Sequence, residues 1–318
     1  MSDEVRDVMR RLSSSVASVI VGRSAEIELC VITLLCRGHL LIEDVPGVGK
    51  TMLAKALARA SGCAFERIQF TPDLLPGDVT GVSVFNPRTT SFEFRPGPVF
   101  AQVLLADEIN RATPKTQSAL LEAMEEHQVT VDGITRRLPD PFIVIATQNP
   151  IELGGTFTLP EAQIDRFLLR VTFGYLPVED EVAMLERFQA GSPLDSVRAV
   201  TSPEEMRRCQ AACARIHCDP VLKEFCVRLV HRTRGHGDVA LGASPRGSLA
   251  LLHAAQAKAA AGGRDYVLPD DVQTLAGPVL AHRVILRPNA ELRGVTAAGV
   301  LEEIVGREAV PVQAGRLA

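Results

Sequence analysis

The residues with the clearest potential for chemistry form a short glycine-containing loop, Glu43-Asp44-Val45-Pro46-Gly47-Val48-Gly49-Lys50-Thr51. An apolar run, Leu40-Leu41-Ile42, leads into the loop, and an Ala-rich stretch with helical spacing follows it. Strand, glycine loop and helix in this order form a cradle for phosphate. Glycine lets backbone N–H groups approach phosphate oxygens, and the helix directs its positive N-terminus at the same anion. Lys50 would then reach the β- and γ-phosphates of ATP, and the Thr51 hydroxyl would be a ligand of Mg²⁺.

One position departs from this motif. The pattern G-x-x-x-x-G-K-T places glycine where the chain has Asp44. Asp tolerates unusual backbone angles better than most residues, so the loop can still form. The alternative is a chance glycine turn before a helix. If the loop does bind a nucleotide, the residues in contact with it are Pro46, Gly47, Val48, Gly49, Lys50, Thr51 and Met52.

A second candidate group ends the apolar run Val103-Leu104-Leu105-Ala106, where Asp107 and Glu108 follow directly. Ligands bind at the carboxyl ends of the strands in open α/β sheets, so this acidic pair is placed for chemistry. Asp107 would hold Mg²⁺, directly or through water, and Glu108 would polarise the water that attacks the γ-phosphorus. The alternative is an ordinary acidic helix cap.

Two more candidates follow along the chain. Asn149 ends the next apolar run and could hydrogen-bond the attacking water or the γ-phosphate, although an Asn before Pro150 is also an ordinary turn residue. Arg166 carries the planar donor fork that suits phosphate. If copies of the chain form a ring, Arg166 could reach a neighbour's γ-phosphate as an arginine finger. A local Asp165–Arg166 surface pair is the alternative.

The last candidate is Arg246. Ser244 and Pro245 predict the N-cap and first position of a helix, which places Arg246 in its first turn. Arg246 could face the sheet from a lid, bind the γ-phosphate and couple hydrolysis to lid rotation, with ATP held between sheet and lid. A solvated arginine at a helix start is the alternative.

Strands alternate with helices up to about residue 173, which predicts an α/β domain with a mostly parallel sheet flanked by helices. Strands are expected at 40–42, 64–70, 99–105, 142–146 and 167–173. Two hairpins are expected near 82–95 and 128–137, the second on its Asp132-Gly133 pair. From Glu179 onward only helices are expected, near 179–190, 203–216, 219–233, 245–261, 269–282 and 296–305. The chain thus divides into residues 1–175 and a smaller all-α lid domain, 176–318.

Composition restricts the class of protein. The chain has 318 residues, 46% apolar content, a net charge of −4 and a pI near 6.0, which argues against a nucleic-acid-coating surface. No apolar run approaches the length of a membrane helix, and no leader pattern opens the sequence. Seven unevenly spaced cysteines fit a reducing cytoplasm. Cys209, Cys213 and His217 could be a metal site, but buried core cysteines are the commoner case.

Together these motifs resemble the AAA+ ATPases and, within them, the MoxR family. The resemblance covers nearly the whole chain. Its most specific stretches are Glu43 to Thr51, Phe92-Glu93-Phe94-Arg95-Pro96-Gly97-Pro98, Asp107-Glu108-Ile109-Asn110-Arg111-Ala112, Ala146-Thr147-Gln148-Asn149-Pro150 and Glu161-Ala162-Gln163-Ile164-Asp165-Arg166-Phe167. It implies a P-loop AAA+ sheet domain followed by a lid. Asp44 also looks like the MoxR form of the loop.

The resemblance also implies roles. Asn149 is similar to sensor 1, Arg166 to the arginine finger and Arg246 to sensor 2, while residues near Val21 and Gly22 would contact adenine. The hairpins resemble the inserts of the helix-2-insert branch and would face a ring pore or a partner. Members of the family are similar to chaperones that use ATP-driven hexamers to mature or activate proteins, often with von Willebrand factor A domain partners. Insertion of a metal cofactor into a client can be part of this action.

Three functions remain open. The first is an ATP hydrolase that drives maturation of protein clients. The second is a slow nucleotide-gated switch whose hydrolysis only resets affinity for a partner. The third is a small-molecule phosphotransferase, against which Asn149, Arg166 and Arg246 argue. GTP is disfavoured because no Asn-Lys-x-Asp segment occurs. Arginines near the hairpins could grip nucleic acid, but the net charge favours a protein client.

Overall fold

The computed structural model describes residues 2–149, 156–189 and 191–311. The strands in chain order are β1 (Leu40–Glu43), β2 (Phe65–Gln69), β3 (Gly81–Asn86), β4 (Ser91–Pro96), β5 (Val103–Asp107), β6 (Gln128–Val131), β7 (Ile134–Arg137), β8 (Ile143–Gln148), β9 (Leu169–Val171), β10 (Val239–Leu241) and β11 (Ile285–Leu286). The α-helices are α1 (Ser2–Ala17), α2 (Ser24–Leu35), α3 (Lys50–Ser61), α4 (Pro76–Thr80), α5 (Pro114–Glu126), α6 (Glu161–Ile164), α7 (Val178–Gln189), α8 (Pro203–Cys213), α9 (Pro220–Gly235), α10 (Pro245–Ala261), α11 (Pro269–Leu280), α12 (Pro288–Glu291) and α13 (Ala297–Arg307). Within these ranges no helix is long and apolar enough to cross a membrane.

Five strands form a parallel sheet in the order β2-β5-β8-β1-β9. The central strands β5, β8 and β1 are buried almost throughout, so each is a continuous apolar run in the sequence. Because the strands point the same way, their C-terminal ends form one edge of the sheet and their N-terminal ends form the other. We call these the carboxyl edge and the amino edge. The predicted parallel α/β class is confirmed.

Helices cover both faces of this sheet. Leu40 and Ile42 of β1 lie in a core shared with α1, α2 and α3, whereas Leu41 lies in a second core shared with α5. This division follows from the strand period, since successive side chains point to opposite faces. The sheet therefore lies between two apolar cores.

The helices after α7 continue the first core and form most of the predicted lid, residues 176–318. Helix α1 presents its buried stripe, which includes Val5, Val8 and Leu12, to α2 and α3 and also to α8 and α10. The same apolar cluster contains Phe225 of α9 and Leu251 of α10. Sheet and lid are thus joined through packed side chains as well as through the connecting chain.

Two details differ from the sequence predictions. The lid is helical but also contains a small antiparallel pair, β10 with β11, where no strand was expected. Strands of two or three residues are too short to show an alternating pattern. The apolar run from Val99 was also predicted as strand throughout, but Pro98–Phe100 form a 3₁₀ turn and β5 begins at Val103.

Both predicted hairpins are present, as β3 with β4 and β6 with β7. Asp132 and Gly133 connect the second pair with φ values of 54° and 73°. Two consecutive left-handed residues are the requirement of a type I′ turn, which explains the Asp-Gly pair. The predicted cap of α10 is also observed, because the Ser244 hydroxyl accepts from the backbone N–H of Arg246 at 3.1 Å.

Candidate functional site

The glycine loop lies at the carboxyl edge, between β1 and α3. Gly47 and Gly49 have φ values of 86° and 90°, a left-handed conformation that L side chains rarely adopt. No atom lies within 4 Å of a Cβ built at either position, so the loop is open on that side. Helix α3 begins at Lys50 and presents its free N–H groups and positive dipole end there. The loop therefore has the geometry of an anion cradle.

Asp44, where the motif has glycine, has a structural role. It is not among the residues with positive φ, so this position does not require glycine. Its buried carboxylate accepts backbone N–H groups from Val45 at 2.7 Å and from Gly174 at 2.8 Å, and a third from Phe173. The carboxylate thus joins the phosphate loop to the segment that leads from β9 into α7.

Lys50 lies in the loop and experiences the charge of the acidic pair. Its ammonium donates to the Asp44 carbonyl oxygen at 2.7 Å. Burial lowers the pKa of Lys50 from its usual value, while the negative charges of Asp44, Asp107 and Glu108 oppose that shift. These charges act on Lys50 because the loop and the end of β5 share the carboxyl edge, as predicted.

Asp107 and Glu108 are held by neighbours that sequence reasoning did not identify. The Thr147 hydroxyl donates to Asp107 Oδ1 at 2.6 Å, and Arg67 donates to Asp107 Oδ2 at 2.7 Å. Gln69 Nε2 donates to Glu108 Oε2 at 2.8 Å. Glu108 itself is left-handed, with φ of 55°, and its N–H donates to Thr147 Oγ1. Both carboxylates are therefore paired within the chain.

A pattern in β2 could have indicated these partners. Arg67 and Gln69 are exposed while Ile68 between them is buried, so the two polar side chains share one face. Strand β2 pairs in parallel with β5, and Gln69 lies opposite Asp107. A polar face on an edge strand beside the acidic pair is the signal, but it becomes visible only once the strand order is known.

The predicted Mg²⁺ ligands fit the ion's chemistry. Mg²⁺ prefers oxygen ligands, keeps several waters and is often held by one or two protein groups plus phosphate oxygens. The Asp107 carboxylate at the end of β5 and the Thr51 hydroxyl in the first turn of α3 supply such a set. Across the described ranges no group of three or more His, Cys, Asp or Glu side chains could hold a metal. This includes Cys209 and Cys213, whose thiol pKa values burial raises to about 11 and about 12.

Asn149 also lies at the carboxyl edge, directly after β8. It is buried, and its carbonyl oxygen accepts from Asn110 Nδ2 at 3.4 Å. Because β8 pairs with both β5 and β1, Asn149 follows the strand that separates the acidic pair from the glycine loop. Pro150, the last residue of its motif, lies outside the described residues.

A cavity of about 290 Å³ adjoins the glycine loop. Predicted contact residues Val21, Gly47, Val48, Gly49 and Met52 line it, together with the chain from Gly174 to Leu176 and side chains of α7 including Met184 and Phe188. This apolar space beside a phosphate cradle has the character of a base-binding pocket. Gly22, Pro46, Lys50 and Thr51 are not part of its lining.

Gly22 has a packing role beside that cavity. A Cβ at this position, where φ is 67°, would lie 2.1 Å from the Asp180 carboxylate of α7. The turn before α2 and the helix α7 can approach each other only because this residue has no side chain. Gly22 therefore has a packing role beside the cavity, and contact of Val21 and Gly22 with adenine stays a prediction.

Arg166 and Arg246 lie together at the amino edge. Both bind Glu125, at the end of α5: Arg166 contacts Oε2 at 2.9 Å and Arg246 contacts Oε1 at 2.5 Å. His39, which precedes β1, contacts the Met124 carbonyl oxygen through Nε2 at 3.1 Å and so locates this helix end. The group is thus beside the start of β1, while the glycine loop follows its end.

This location bears on one prediction. Arg246 was expected to face the sheet from the lid and bind the γ-phosphate, with ATP between sheet and lid. The four residues of β1 alone span about 13 Å between the two edges. The cavity at the glycine loop is closed by α7, which belongs to the predicted lid range, but Arg246 is absent from its lining. The lid packs so that α10 begins at the amino edge, on the far side from that loop.

The alternative considered for Arg166, a local surface pair with Asp165, is not observed. Asp165 does not pair with Arg166 but with Arg283 of the lid, whose guanidinium donates to Oδ1 at 2.7 Å. The Ser244 hydroxyl donates to Asp165 Oδ2 at 2.7 Å. Asp165 therefore binds the lid, and Arg166 beside it points to Glu125.

A larger cavity of about 700 Å³ lies in the lid between α9 and α13. Its arginines are paired within the chain: Arg228 and Arg232 bind Glu308, and Arg307 binds Glu303. Each of these three arginines is therefore already engaged by a carboxylate within the chain.

Known proteins share this arrangement. The ATPase family associated with various cellular activities (AAA) matches residues 39–169, and the AAA lid domain matches residues 231–304. Chaperone MoxR1 of Mycobacterium tuberculosis is 41% identical over 95% of this chain and 82% of its own length. The uncharacterized protein YeaC of Bacillus subtilis is 49% identical over 98% of this chain and 97% of its own. A crystal structure from Cytophaga hutchinsonii, classed provisionally as an ATPase, is similar with a TM-score of 0.91 at 36% identity, covering 98% of this chain and 97% of the other.

Proposed function

The chain belongs to the MoxR family of AAA+ ATPases, and from this premise we propose that it hydrolyses ATP to drive chaperone-like maturation or activation of protein clients. The observation that carries the proposal is the carboxyl edge itself. The glycine cradle, Lys50 and the pair Asp107–Glu108 converge there from separate elements. This set contains a phosphate site, a counter-charge and a carboxylate base.

Each group has a distinct role in this proposal. The backbone of Gly47 to Gly49 and the ammonium of Lys50 bind and orient the phosphates. Glu108 orients the attacking water and draws its proton, and Asn149 holds that water in line. Mg²⁺, when bound, would neutralise charge on the phosphates, and Asp107 and Thr51 are the residues that would hold it.

Arg166 and Arg246 would act on a second copy of the chain. They lie at the amino edge, and strand β1 separates them from the chain's own glycine loop. A ring in which the amino edge of one copy meets the carboxyl edge of the next would bring both arginines to a nucleotide. We propose a homo-oligomeric ring, six-membered by the family resemblance.

Substitution of the proposed base tests this function. Glu108→Gln removes the negative charge but keeps the side chain's shape, so we expect ATP binding to persist and turnover to fall at least a thousandfold. Lys50→Ala is the contrasting variant, because it should lose binding as well. Nucleotide affinity by calorimetry and phosphate release would separate the two. Parental turnover in Glu108→Gln would show that Glu108 is not the base.

The client is proposed to be a protein, or a von Willebrand factor A domain partner. The two hairpins expose large apolar side chains, with Phe92, Ile134 and Phe85 accessible at 73%, 57% and 47%. Such groups suit a polypeptide surface, and the net charge of −4 makes nucleic acid a poor partner. A cytoplasmic location is supported by seven free cysteines.

A slow nucleotide-gated switch is the second candidate. It is favoured by the pairing of both carboxylates, since Arg67 donates to Asp107 and Gln69 donates to Glu108. Groups engaged in this way would have to be released before hydrolysis. The ATPase rate with and without a candidate partner separates the two functions: a mechanoenzyme turns over with client continuously, and a switch releases phosphate once per binding event.

A further inference from the structure

One carboxylate at the amino edge joins two guanidinium groups from different elements. Glu125 Oε2 binds Arg166, which precedes β9, and Glu125 Oε1 binds Arg246, in the first turn of α10. The two arginines each use one terminal nitrogen for this carboxylate. Because the two oxygens of a carboxylate lie close together, the guanidinium groups are held side by side.

Glu125 is itself fixed in position. The next-to-last residue of α5, it follows Met124, whose carbonyl oxygen contacts His39 Nε2 at 3.1 Å. The other ring nitrogen of His39 accepts from the Val144 N–H at 3.0 Å. That N–H bond requires Nδ1 to be unprotonated, and burial lowers the pKa of His39 to about 4, so the ring is neutral at physiological pH. The end of α5 is thus fastened to two strands of the sheet.

The two arginines share a second connection through Asp165. Its carboxylate accepts from the Ser244 hydroxyl at 2.7 Å, and the same hydroxyl accepts from the Arg246 N–H. The backbones of Arg166 and Arg246 are therefore tied together independently of Glu125. Their side chains are not: Arg166 Nε is buried without a hydrogen-bond partner among the described residues. Its guanidinium depends on Glu125 for its direction.

Electrostatics explains why a carboxylate is needed. Two guanidinium groups held this close repel each other, and one negative charge between them offsets that repulsion. The trio keeps a net charge of +1, so it still attracts phosphate. All three side chains are partly exposed, at 27% for Arg166, 43% for Arg246 and 37% for Glu125, so an anion from outside can approach.

We propose that Glu125 is a positioning residue that holds Arg166 and Arg246 as a two-arginine clamp for the terminal phosphate of ATP bound to a second copy of the chain. The inference rests on the proposed function, because it requires the arginines to act across an interface. It adds that the two act as one unit and that Glu125 sets their spacing. Glu125 does not touch the nucleotide of its own chain, whose phosphate loop lies at the opposite edge.

The test mixes two inactive variants. Lys50→Ala cannot use its own site but retains Glu125 and both arginines, whereas Arg166→Ala retains its site and lacks the finger. If the arginines act across an interface, mixed assemblies regain ATPase activity. Glu125→Gln is then placed in the Lys50→Ala chain, with Glu126→Gln in the same chain as the matched control, since it makes the same charge change one residue away on the exposed surface.

We expect Glu125→Gln to lower the kcat of the mixture about tenfold with little change in KM, because it misdirects the clamp but leaves the partner's ATP site intact. Glu126→Gln should match the parent mixture. Light scattering should give the same assembly mass for all mixtures, and thermal unfolding should show that each variant is folded. A loss of assembly mass would overturn the positioning role, because Glu125 would then act by holding copies together.

Two further outcomes separate the proposals. If the parent mixture regains activity and Glu125→Gln restores it equally or better, the positioning role is wrong and the interface mechanism stands. If the parent mixture stays inactive while each chain assembles, the interface mechanism fails, and the role of Glu125 fails with it. A Glu125→Asp chain, which keeps the charge but shortens the side chain, should restore more activity than Glu125→Gln.

Discussion

The two edges of the parallel sheet are built in different ways. At the carboxyl edge, contiguous motifs supply the phosphate loop and the acidic pair, and strand order brings them together. At the amino edge, Glu125, Arg166 and Arg246 come from three separate elements and meet through lid packing. The carboxyl edge has the glycine loop and Lys50. The amino edge has the guanidinium groups of Arg166 and Arg246 but no phosphate-binding loop.

Each edge has what the other lacks, and β1 keeps them about 13 Å or more apart within a molecule. Under the proposed function, a complete site would therefore need two copies of the chain. The contrast also predicts which substitutions disturb binding and which disturb turnover alone.

The largest expected effect is at the amino edge. Arg166→Ala should reduce kcat about a thousandfold, the lower range for loss of an arginine finger, and leave ATP affinity unchanged. Steady-state hydrolysis and calorimetry on the assembled protein measure the two quantities. The comparison would be broken by a variant that loses ATP affinity instead, since Arg166 would then serve its own chain.

Arg283 tests whether the lid holds the amino edge together. Its guanidinium is only 2% exposed and binds Asp165 along with the carbonyl oxygens of Phe167 and Leu168. Arg283→Ala leaves a partly buried carboxylate unpaired, so unfolding free energy should fall by about 3–4 kcal/mol in urea titration. Arg293→Ala breaks an exposed pair and should cost under about 1 kcal/mol. Equal costs for the two would contradict a structural role for the Asp165 contact.

Acid should weaken the attachment at His39. Burial lowers its pKa from 6.5 to about 4, so the unfolded chain takes up a proton there before the folded protein does. The stabilising contribution is complete above about pH 6.5 and is lost as the pH falls toward 4, by about 3 kcal/mol. Urea titrations between pH 7 and 4.5 should show a steeper decline for the parent than for His39→Gln. Identical declines would mean that His39 does not titrate in this range.

The smallest expected effect concerns the carboxyl edge. Asp44→Asn replaces an acceptor of three backbone N–H groups by an amide whose nitrogen cannot accept, which frees the segment at Gly174. That segment lines the cavity, so ATP affinity should fall about tenfold, with a smaller effect on kcat. Glu43→Gln is the control, because it makes the same charge change one residue earlier at a contact with Arg170. Unchanged ATP affinity in Asp44→Asn would show that the hydrogen bonds of Asp44 do not shape the site.

Much of the fold follows from local pattern. Apolar runs mark the buried strands, helical spacing marks α3, and Ser244 caps its helix as expected. These features depend on neighbours a few residues apart. The short strands β10 and β11 were not predicted, because two or three residues are too few to show an alternating pattern.

The site was predictable to a different extent at each edge. The glycine loop and the pair Asp107–Glu108 are each a contiguous stretch of sequence at the end of a strand. The order of the parallel strands alone therefore brings them together. The helix start at Arg246 was predicted, but its position at the amino edge was not, because the packing of the lid depends on long-range contacts such as that of Arg283 with Asp165. Glu125 had no local signature at all, since an acidic residue near a helix end is ordinary.

The burial of Arg283 has a mechanical consequence. Its bonds to Asp165 and to the carbonyl oxygens before β9, together with the apolar core that runs from α1 into α10, couple the two halves of the chain stiffly. We therefore expect the two halves to move together as one rigid body and not to close on each other. Under the proposed function, ATP hydrolysis would then cause rotation between neighbouring chains, and this rotation would move the hairpins and any protein bound to them.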